Sequence, residues 1–148
     1  MIGQICIKPV VTAAPDTTIQ AAARLMREKN VGALVVAKNR KAKGFLTDRD
    51  IAVDVVAKGK DPATVRVSQV MRKNPTVIGA DKGILDATKI LSAKGLWRLP
   101  VVGKGGKLVG IIALDDLLML MGSEMGNIAS ALSRGLGRRS VAESAAGT

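Results

Sequence analysis

The chain has 148 residues, of which 47% are hydrophobic, and carries a formal net charge of +11. Its length fits one compact domain or two very small ones, and the charge favours anionic partners, whether nucleotides, nucleic acids or acidic proteins. Histidine is absent and cysteine occurs once, which excludes a His/Cys metal site, an internal disulfide and the Ser-His or Cys-His pairs of many hydrolases.

The N-terminus lacks the charged segment and apolar core of a signal peptide. No apolar run along the chain approaches the ~18 residues needed to span a bilayer. A single cysteine, Cys6, agrees with a reducing compartment. We therefore expect a cytoplasmic protein with no membrane span.

The first half of the chain predicts a helix, two strands and a second helix. The first helix begins with Asp16 or Thr17 as its N-cap and ends near Asn30, and its apolar face is Ile19, Ala22, Ala23 and Met26. The valine-rich run VGALVVA predicts a buried strand, and a basic loop joins it to the short strand GFLT. A helix over residues 48–58 follows, with Gly59 at its C-cap.

The second half of the chain repeats the first after a shift of 65 residues. Identical residues align along the repeat: Lys8, Asp16, Ile19, Ala22, Lys29, Leu34 and Val36 fall on Lys73, Asp81, Ile84, Ala87, Lys94, Leu99 and Val101. With one extra residue in the second loop, Gly44 and Asp50 align with Gly110 and Asp116. The chain is therefore two copies of one unit of about 60 residues.

The second copy predicts the same order of elements. We expect a helix over 82–94, strands over 96–102 and 108–113 around a GKGGK hairpin, and a helix over 114–121 that ends at Gly122. Strands that alternate with helices in two related halves predict an α/β fold. Both closing helices are apolar almost all round, so the other copy or a second chain must cover them.

The C-terminal segment predicts one more helix, over residues 123–140. Its apolar face is Met125, Ile128, Ala129 and Leu132. We expect this helix to pack on its own module or on a dimer mate, with a membrane-surface role as the alternative. Residues 141–148 are predicted to be disordered.

The segment GFLTDRD, the strands NVGALVV and LWRLPVV, the lead VMRKNP and the tandem duplication together resemble the cystathionine-β-synthase (CBS) domain. The resemblance covers residues 5 to about 122 and divides them into repeats 5–62 and 63–122. It implies an α/β (α+β) fold in which two βαββα repeats pack about a pseudo-twofold, with a short C-terminal helix added. Such a tandem pair is called a Bateman module.

The resemblance also implies a function. Clefts between the two sheets of a CBS pair bind adenine-bearing ligands such as AMP, ADP, ATP, S-adenosylmethionine or NADH. We expect a stand-alone, non-enzymatic regulatory module that forms a homodimer, needs no cofactor and signals to an effector protein. An enzyme has only the acid pairs Asp48/Asp50 and Asp115/Asp116 to use, and acids spaced this way without histidine or a metal set are poor evidence for catalysis.

The residues Thr47, Arg49 and Asp50 suit a nucleotide. A carboxylate accepts hydrogen bonds from ribose hydroxyls, a threonine hydroxyl donates to a phosphate, and an arginine adds positive charge. Backbone N–H groups at the start of the helix from Asp48 are expected to point to the same place. The spacing Thr-x-x-Asp is equally that of a helix capping box, so both interpretations stay open.

The resemblance implies that the base is held by residues at the starts of the strands. These are Thr12, Val31, Gly32 and Ala33 in the first copy and Thr76, Val77, Leu96, Trp97 and Arg98 in the second. The second copy departs from the pattern, because Ala113 replaces the threonine beside Asp116 and Trp97 stands where the first copy has Gly32. Its site is therefore altered, partly filled or empty. We expect Trp97 to fill the core rather than stack on a base.

The basic loop raises an alternative function. Four cationic residues lie within six positions: Lys38, Arg40, Lys41 and Lys43. A solvated hairpin is the favoured interpretation, and binding of RNA or DNA is the alternative. The near absence of aromatic residues argues against nucleic acid, because single-strand readers stack bases on aromatic side chains.

Overall fold

The computed structural model describes the backbone of residues 1–146 and the side chains of residues 1–137. The chain divides into two compact units, Met1–Ile112 and Ala113–Thr148. The first unit holds two β-sheets and the shorter helices. The described part of the second unit after Ala113 is one long helix.

The first half of the chain follows the predicted order after one short N-terminal helix that was not predicted. It forms α1 (Ile2–Ile5), β1 (Thr12–Ala13), α2 (Ile19–Lys29), β2 (Ala33–Lys38), β3 (Lys41–Thr47) and α3 (Asp48–Ile51), which continues as a π-helical segment over Ala52–Val56. The predicted end of α2 at Asn30 is confirmed by its left-handed backbone, with a φ of 52°. The predicted N-cap is wrong, because the hydroxyl of Thr18, not Asp16 or Thr17, accepts from the N–H of Ala21 at 3.2 Å.

The second half forms the predicted elements in the same order, but its last helix is longer. It comprises a 3₁₀ turn (Val67–Gln69), β4 (Arg72–Lys73), β5 (Ile78–Gly79), α4 (Ile84–Lys94), β6 (Arg98–Val102), a 3₁₀ turn (Lys104–Gly106), β7 (Leu108–Ala113) and α5 (Leu114–Ala146). The predicted end of α4 at Gly95 is confirmed by a φ of 62°. Strand β7 has the predicted bounds.

The strands form two sheets, in the orders β1-β2-β3-β4 and β5-β6-β7. Each sheet opens with the same parallel pair, β1 beside β2 and β5 beside β6. The hairpin partners β2 and β3 are antiparallel, and β4 adds to the free edge of β3. Because β4 belongs to the second copy, the first sheet contains strands from both copies.

The leading segment of each copy packs on the other copy. Backbone hydrogen bonds join Ile2 to Lys82 and Gly3 to Ala80, at 2.8 and 3.0 Å, and join Val67 to Thr17 and Ser68 to Pro15, at 2.8 and 2.9 Å. The two sets correspond under the 65-residue shift. The packed halves therefore exchange their leads, and the boundary between residues 62 and 63 stays a prediction.

The core of the first half includes a residue from the second copy. Its buried members are Ala13, Ile19, Ala22, Met26, Leu34, Val36, Leu46, Val55 and Val67. Burial of each large side chain among them contributes about 1.5–3 kcal/mol. The predicted apolar face of α2 is confirmed at Ile19, Ala22 and Met26, but Ala23 is exposed because it lies beyond the edge of this stripe.

The second unit corrects the prediction for the C-terminal region. Helix α5 passes through Gly122 and continues to Ala146, so the predicted end at Gly122 and the separate helix over 123–140 are wrong. Glycine inside a helix costs only about 1 kcal/mol relative to alanine, which the helix-forming neighbours offset. Of the predicted disordered tail, residues 141–146 are helical and residues 147–148 lie outside the described residues. Within the described chain, no helix combines the length and apolarity that a membrane crossing needs.

Two glycines allow the exchanged leads to approach. A Cβ atom on Gly44 would lie 2.9 Å from the backbone oxygen of Arg72, and a Cβ atom on Gly110 would lie 3.0 Å from the backbone oxygen of Ile7. These contacts are equivalent, because Phe45 pairs with Arg72 and Ile111 pairs with Ile7. Backbone atoms cannot move aside as a flexible side chain does, so both positions require glycine.

We predict that Gly44→Ala lowers the free energy of unfolding by about 1–3 kcal/mol, because the added methyl group overpacks the β3-β4 contact. The control is Gly122→Ala, whose Cβ atom meets nothing within 4 Å and which should stabilise α5 by about 0.5–1 kcal/mol. Urea unfolding measures both values. An unchanged urea midpoint for Gly44→Ala would show that the close approach is not needed.

Candidate functional site

A cavity of about 650 Å³ lies between the two copies within the first unit. The end of β3, the start of α3 and the start of β2 form one side, with Gly32, Phe45, Thr47, Asp48 and Arg49. The other side comes from the second copy, with Arg72, Lys73, Asn74, Pro75, Thr76, Gly95, Leu96, Trp97, Arg98 and Pro100. The exchange of leads creates this juxtaposition, because it brings β4 against β3.

The capping interpretation of Thr47 and Asp50 is confirmed. The hydroxyl of Thr47 accepts from the N–H of Asp50 at 3.1 Å, and Oδ2 of Asp50 accepts from the N–H of Thr47 at 3.0 Å. Asp50 is only 6% exposed. Its second oxygen, Oδ1, accepts from Nη2 of Arg72 at 3.4 Å, which is a long and exposed contact on the arginine side. Asp50 therefore lies behind the wall of the cavity, and one of its oxygens is only loosely held.

The backbone N–H groups at the start of α3 already have partners. The N–H of Asp48 donates to the oxygen of Gly32 at 2.9 Å, that of Arg49 to Oδ1 of Asp48 at 2.8 Å, and that of Asp50 to Thr47. The expectation that these groups bind an anion is wrong for this conformation. The cationic side chains of the lining are therefore the stronger candidates for holding an anion.

The cavity lining is rich in positive charge. Four cationic side chains line it, against the one carboxylate of Asp48: Arg49, Arg72, Lys73 and Arg98. Within the described residues, Arg72 alone among these four makes an ion pair, the long contact with Asp50. The electrostatic potential of this cavity therefore favours an anionic ligand.

Trp97 contradicts the expectation that it fills the core. Its side chain is 71% exposed and lies in the cavity lining. The equivalent residue of the first copy, Gly32, lines the same cavity, and a Cβ atom there would be 3.0 Å from Oδ2 of Asp48. Trp97 thus contributes an exposed aromatic side chain to the same cavity as Thr47.

The structure brings seven of the predicted site residues together in this cavity: Gly32, Thr47, Arg49, Thr76, Leu96, Trp97 and Arg98. Because they come from both copies, the cavity is not a site of one copy alone. Val31, Ala33, Asp50, Val77 and Asp116 are not among the residues that line either cavity in the described part of the chain. Their assignment to a site stays a prediction.

Local structure explains where four of those five residues lie, and Asp50 lies in the cap of α3. The N–H of Val31 donates to Met26 at 3.0 Å at the end of α2, and Ala33 pairs with Thr47 in the sheet. Val77 precedes β5 with a side chain that is 38% exposed. Asp116, in the second unit, accepts from the N–H of Ala113 at 3.3 Å. Half of the capping box thus persists where the threonine is lost.

Several lining residues were missed by the sequence analysis. They are Phe45, Asp48, Arg72, Lys73, Asn74, Pro75, Gly95 and Pro100. Four of them follow one another in the VMRKNP lead, which carried the family resemblance but was not assigned a role. The duplication is the sequence signal that points to these four residues. It shows that the same leading segment starts each copy, and a segment repeated in this way is expected to lie beside a sheet.

Thr12 lies in a second cavity of about 740 Å³ within the first unit. Its other lining residues are Lys8, Pro9, Val10, Ala37, Arg40, Leu108 and Val109. Arg40 lies in the basic hairpin, where Asn39 and Arg40 have φ values of 53° and 62° and form a tight turn. The four cationic hairpin residues are exposed, as a solvated loop requires.

The described residues contain no group of three or more His, Cys, Asp or Glu side chains arranged to hold a metal ion.

A family model described as CBS domain matches residues 2–56 and 67–123. The chain is 43% identical over 108 residues to the CBS domain-containing protein YhcV of Bacillus subtilis, covering 73% of this chain and 76% of YhcV. It spans 61%, 39% and 22% of the lengths of three other curated relatives.

Solved structures show the same fold. The CBS domain pair of protein MJ0100, in complex with 5′-methylthioadenosine and S-adenosyl-L-methionine, has a TM-score of 0.73 and 25% identity, covering 84% of this chain and 97% of that one. A hexameric CBS-CP12 protein from bloom-forming cyanobacteria has a TM-score of 0.67 and 31% identity, covering 78% and 68%. Neither protein is described as a nucleic-acid binder, so the hairpin alternative gains no support.

Proposed function

The chain belongs to the CBS-domain family as a tandem pair, and from this premise we propose that it is a regulatory sensor that binds an adenine nucleotide in the cavity around Thr47 and Trp97. The predicted tandem pair and its mixed α/β fold are confirmed. CBS pairs are regulatory modules, and the proposal assigns this chain no catalytic step and no required cofactor. The signal passes to an effector protein.

The charge of the cavity lining is the observation that carries the choice of ligand. Four cationic side chains against one carboxylate favour a ligand with phosphates. S-adenosylmethionine carries a positively charged sulfonium, and 5′-methylthioadenosine is neutral, so neither uses this charge. The carboxylate of S-adenosylmethionine can pair with one cation, but the molecule is cationic overall and has no phosphate. We therefore place AMP, ADP or ATP ahead of the two adenosyl compounds bound by the MJ0100 pair.

Shape and aromatic surface support an adenine base. The cavity volume of about 650 Å³ falls within the roughly 300–1,000 Å³ of small-molecule sites. Trp97 presents an exposed indole on which a base stacks, and Leu96 and Pro100 supply apolar surface beside it. Arg49 and Arg98 are the side chains proposed for the phosphates.

Asp50 is the proposed acceptor for the ribose hydroxyls. Its Oδ2 is committed to the cap of α3, whereas its Oδ1 has only the 3.4 Å contact with Arg72. A ribose hydroxyl that replaces this contact frees Arg72, whose side chain is 72% exposed, to turn toward the phosphates. The hydroxyl of Thr47 accepts within the cap and still has its own proton to donate.

We predict that AMP binds at least about tenfold more tightly than adenosine, because charge-assisted hydrogen bonds to phosphate contribute about 1.5–3 kcal/mol. Trp97 is the only tryptophan of the chain, so quenching of its fluorescence reports binding directly. Arg98→Gln should weaken AMP binding about tenfold and leave adenosine binding unchanged. Arg27→Gln, an exposed cation of α2 outside the cavity lining, is the matched control.

Salt adds an independent check on this order, since screening weakens AMP binding more than adenosine binding. If S-adenosylmethionine or 5′-methylthioadenosine bound more tightly than AMP, the charge argument would be wrong while an adenosyl site remained. If none of these compounds quenched Trp97 or raised the melting temperature, the nucleotide site itself would be refuted.

We predict opposite effects for two neighbouring carboxylates. Asp50→Asn should weaken both AMP and adenosine about tenfold, because the ribose that it binds is common to both. Asp48→Asn should tighten AMP alone, because it removes the one negative charge of the lining. Asp54 pairs with Lys58 at 3.2 Å on the exposed side of the helix, so Asp54→Asn should change the affinity for neither AMP nor adenosine. Titration calorimetry measures the affinities, and melting curves confirm folding.

The result that contradicts the ribose assignment is a tighter complex of AMP with Asp50→Asn. Asp50 would then affect AMP only by repelling the phosphate with its negative charge, and its other role would be to cap α3.

The proposal includes a homodimer through the helical face after β3. Val53 and Val56 are 46% and 67% exposed there, so the described residues of the chain leave a large part of both side chains open. Adjacent exposed apolar side chains of this kind mark an interface more often than isolated ones do.

We predict that Val56→Asp halves the mass measured by light scattering at micromolar concentration, because a charge in an apolar interface is not solvated. Lys60→Asp adds the same side chain at an exposed position nearby and should leave the mass unchanged. A wild-type chain that already scatters as a monomer would refute this dimer.

A further inference from the structure

Helix α5 carries a line of exposed apolar side chains. They recur at alternate spacings of three and four residues, at Leu118, Met121, Met125, Ile128 and Leu132, and each is between 46% and 66% exposed. This period of 3.5 residues is the pattern of helices that pair along their length as coiled coils. A helix that is surrounded by water on all sides gains no stability from such a continuous line of apolar side chains.

We propose that two copies of α5 pair with each other in antiparallel orientation. The spacing of the line is symmetric about a point between Gly126 and Asn127. In this arrangement Met121 meets Leu132 of the partner subunit, and Met125 meets Ile128 of the partner subunit. A twofold contact repeats each pair in reverse, so the line is complementary to itself.

The charges along α5 select the antiparallel orientation. Asp115 and Asp116 lie at its start, whereas Arg134 lies near the end of the described side chains and the sequence continues with Arg138 and Arg139. Antiparallel pairing puts the acidic end of each helix beside the basic end of the other, whereas parallel pairing puts like charges together. Opposed helix dipoles add to the same preference.

The inference deepens the proposed homodimer and does not depend on the nucleotide cavity. It adds a second contact, on α5, to the contact proposed at Val56. The two proposed contacts can be refuted independently, because Val56 lies outside α5 and a cross-link between two copies of α5 reports only the α5 contact.

Disulfide cross-linking in the full-length chain tests the orientation. Met121→Cys mixed with Leu132→Cys should form a mixed disulfide dimer under mild oxidation, whereas either variant alone should form little. Two copies of position 121 are about 16 Å apart along antiparallel axes, at about 1.5 Å per residue, and a disulfide requires Cα atoms within about 7 Å. The wild-type chain is the background control, because its one cysteine, Cys6, is buried.

A second pair of substitutions tests the apolar contact itself. Adding Ile128→Asp to both cysteine variants should lower the yield of the mixed disulfide at least tenfold. Ser130→Asp, which introduces the same charge away from the apolar line, should leave the yield unchanged. Circular dichroism checks that α5 stays helical in both.

Three results would overturn the proposal. Strong cross-linking of each cysteine variant to itself would show parallel pairing, and no cross-linking in any mixture would show that α5 does not pair. Equal loss of yield with Ile128→Asp and Ser130→Asp would show that the apolar line is not the contact. If cross-linking fails while the chain sediments with vesicles of phosphatidylglycerol and phosphatidylcholine, the apolar line binds a membrane surface instead.

Discussion

The exchange of leading segments between the two copies is the contact on which the rest of the first unit depends. Each copy supplies the edge of the other copy's sheet, and the backbones meet where Gly44 and Gly110 carry no side chain. A sheet edge left open exposes unpaired backbone groups, so each copy completes the other. The first copy does not have its full core alone, since Val67 of the second copy is buried in it. We therefore regard the pair, not the single repeat, as the folding unit.

The same exchange builds the cavity. Strand β4 lies against β3 and carries Arg72 to within 3.4 Å of Asp50, while the residues that follow β4 line the same cavity as Thr47. The cap of α3 forms part of that wall, and its two side-chain hydrogen bonds hold Thr47 and Asp50 in one geometry before any ligand binds. Preorganised groups of this kind lose little entropy on binding, which favours affinity. Capping and the proposed ligand binding are thus compatible roles for Thr47 and Asp50.

Charge distinguishes the proposed ligand from those of a related pair. The cavity lining has an excess of cations, whereas none of the four cationic hairpin residues lines this cavity and Arg40 lines the second one. The net charge of +11 belongs to the whole chain, but only the cationic residues that line a cavity can select a small anion. The long second unit has a different character, with acids at its start, arginines toward its end and an apolar line between them.

Sequence periodicity and the duplication determined the order of the elements, the bounds of β7, the ends of α2 and α4 and the cap at Thr47 and Asp50. These features depend on neighbours within a few residues, and local spacing records them directly. Three features depended on tertiary structure: the exposure of Trp97, the packing of each leading segment on the other copy, and the contact of Arg72 with Asp50. Each of these is set by which surface of a distant segment comes near, and residue spacing contains no such information. Gly122 shows the same limit within one helix, because a glycine that ends a helix and a glycine that the helix passes through are the same letter in sequence.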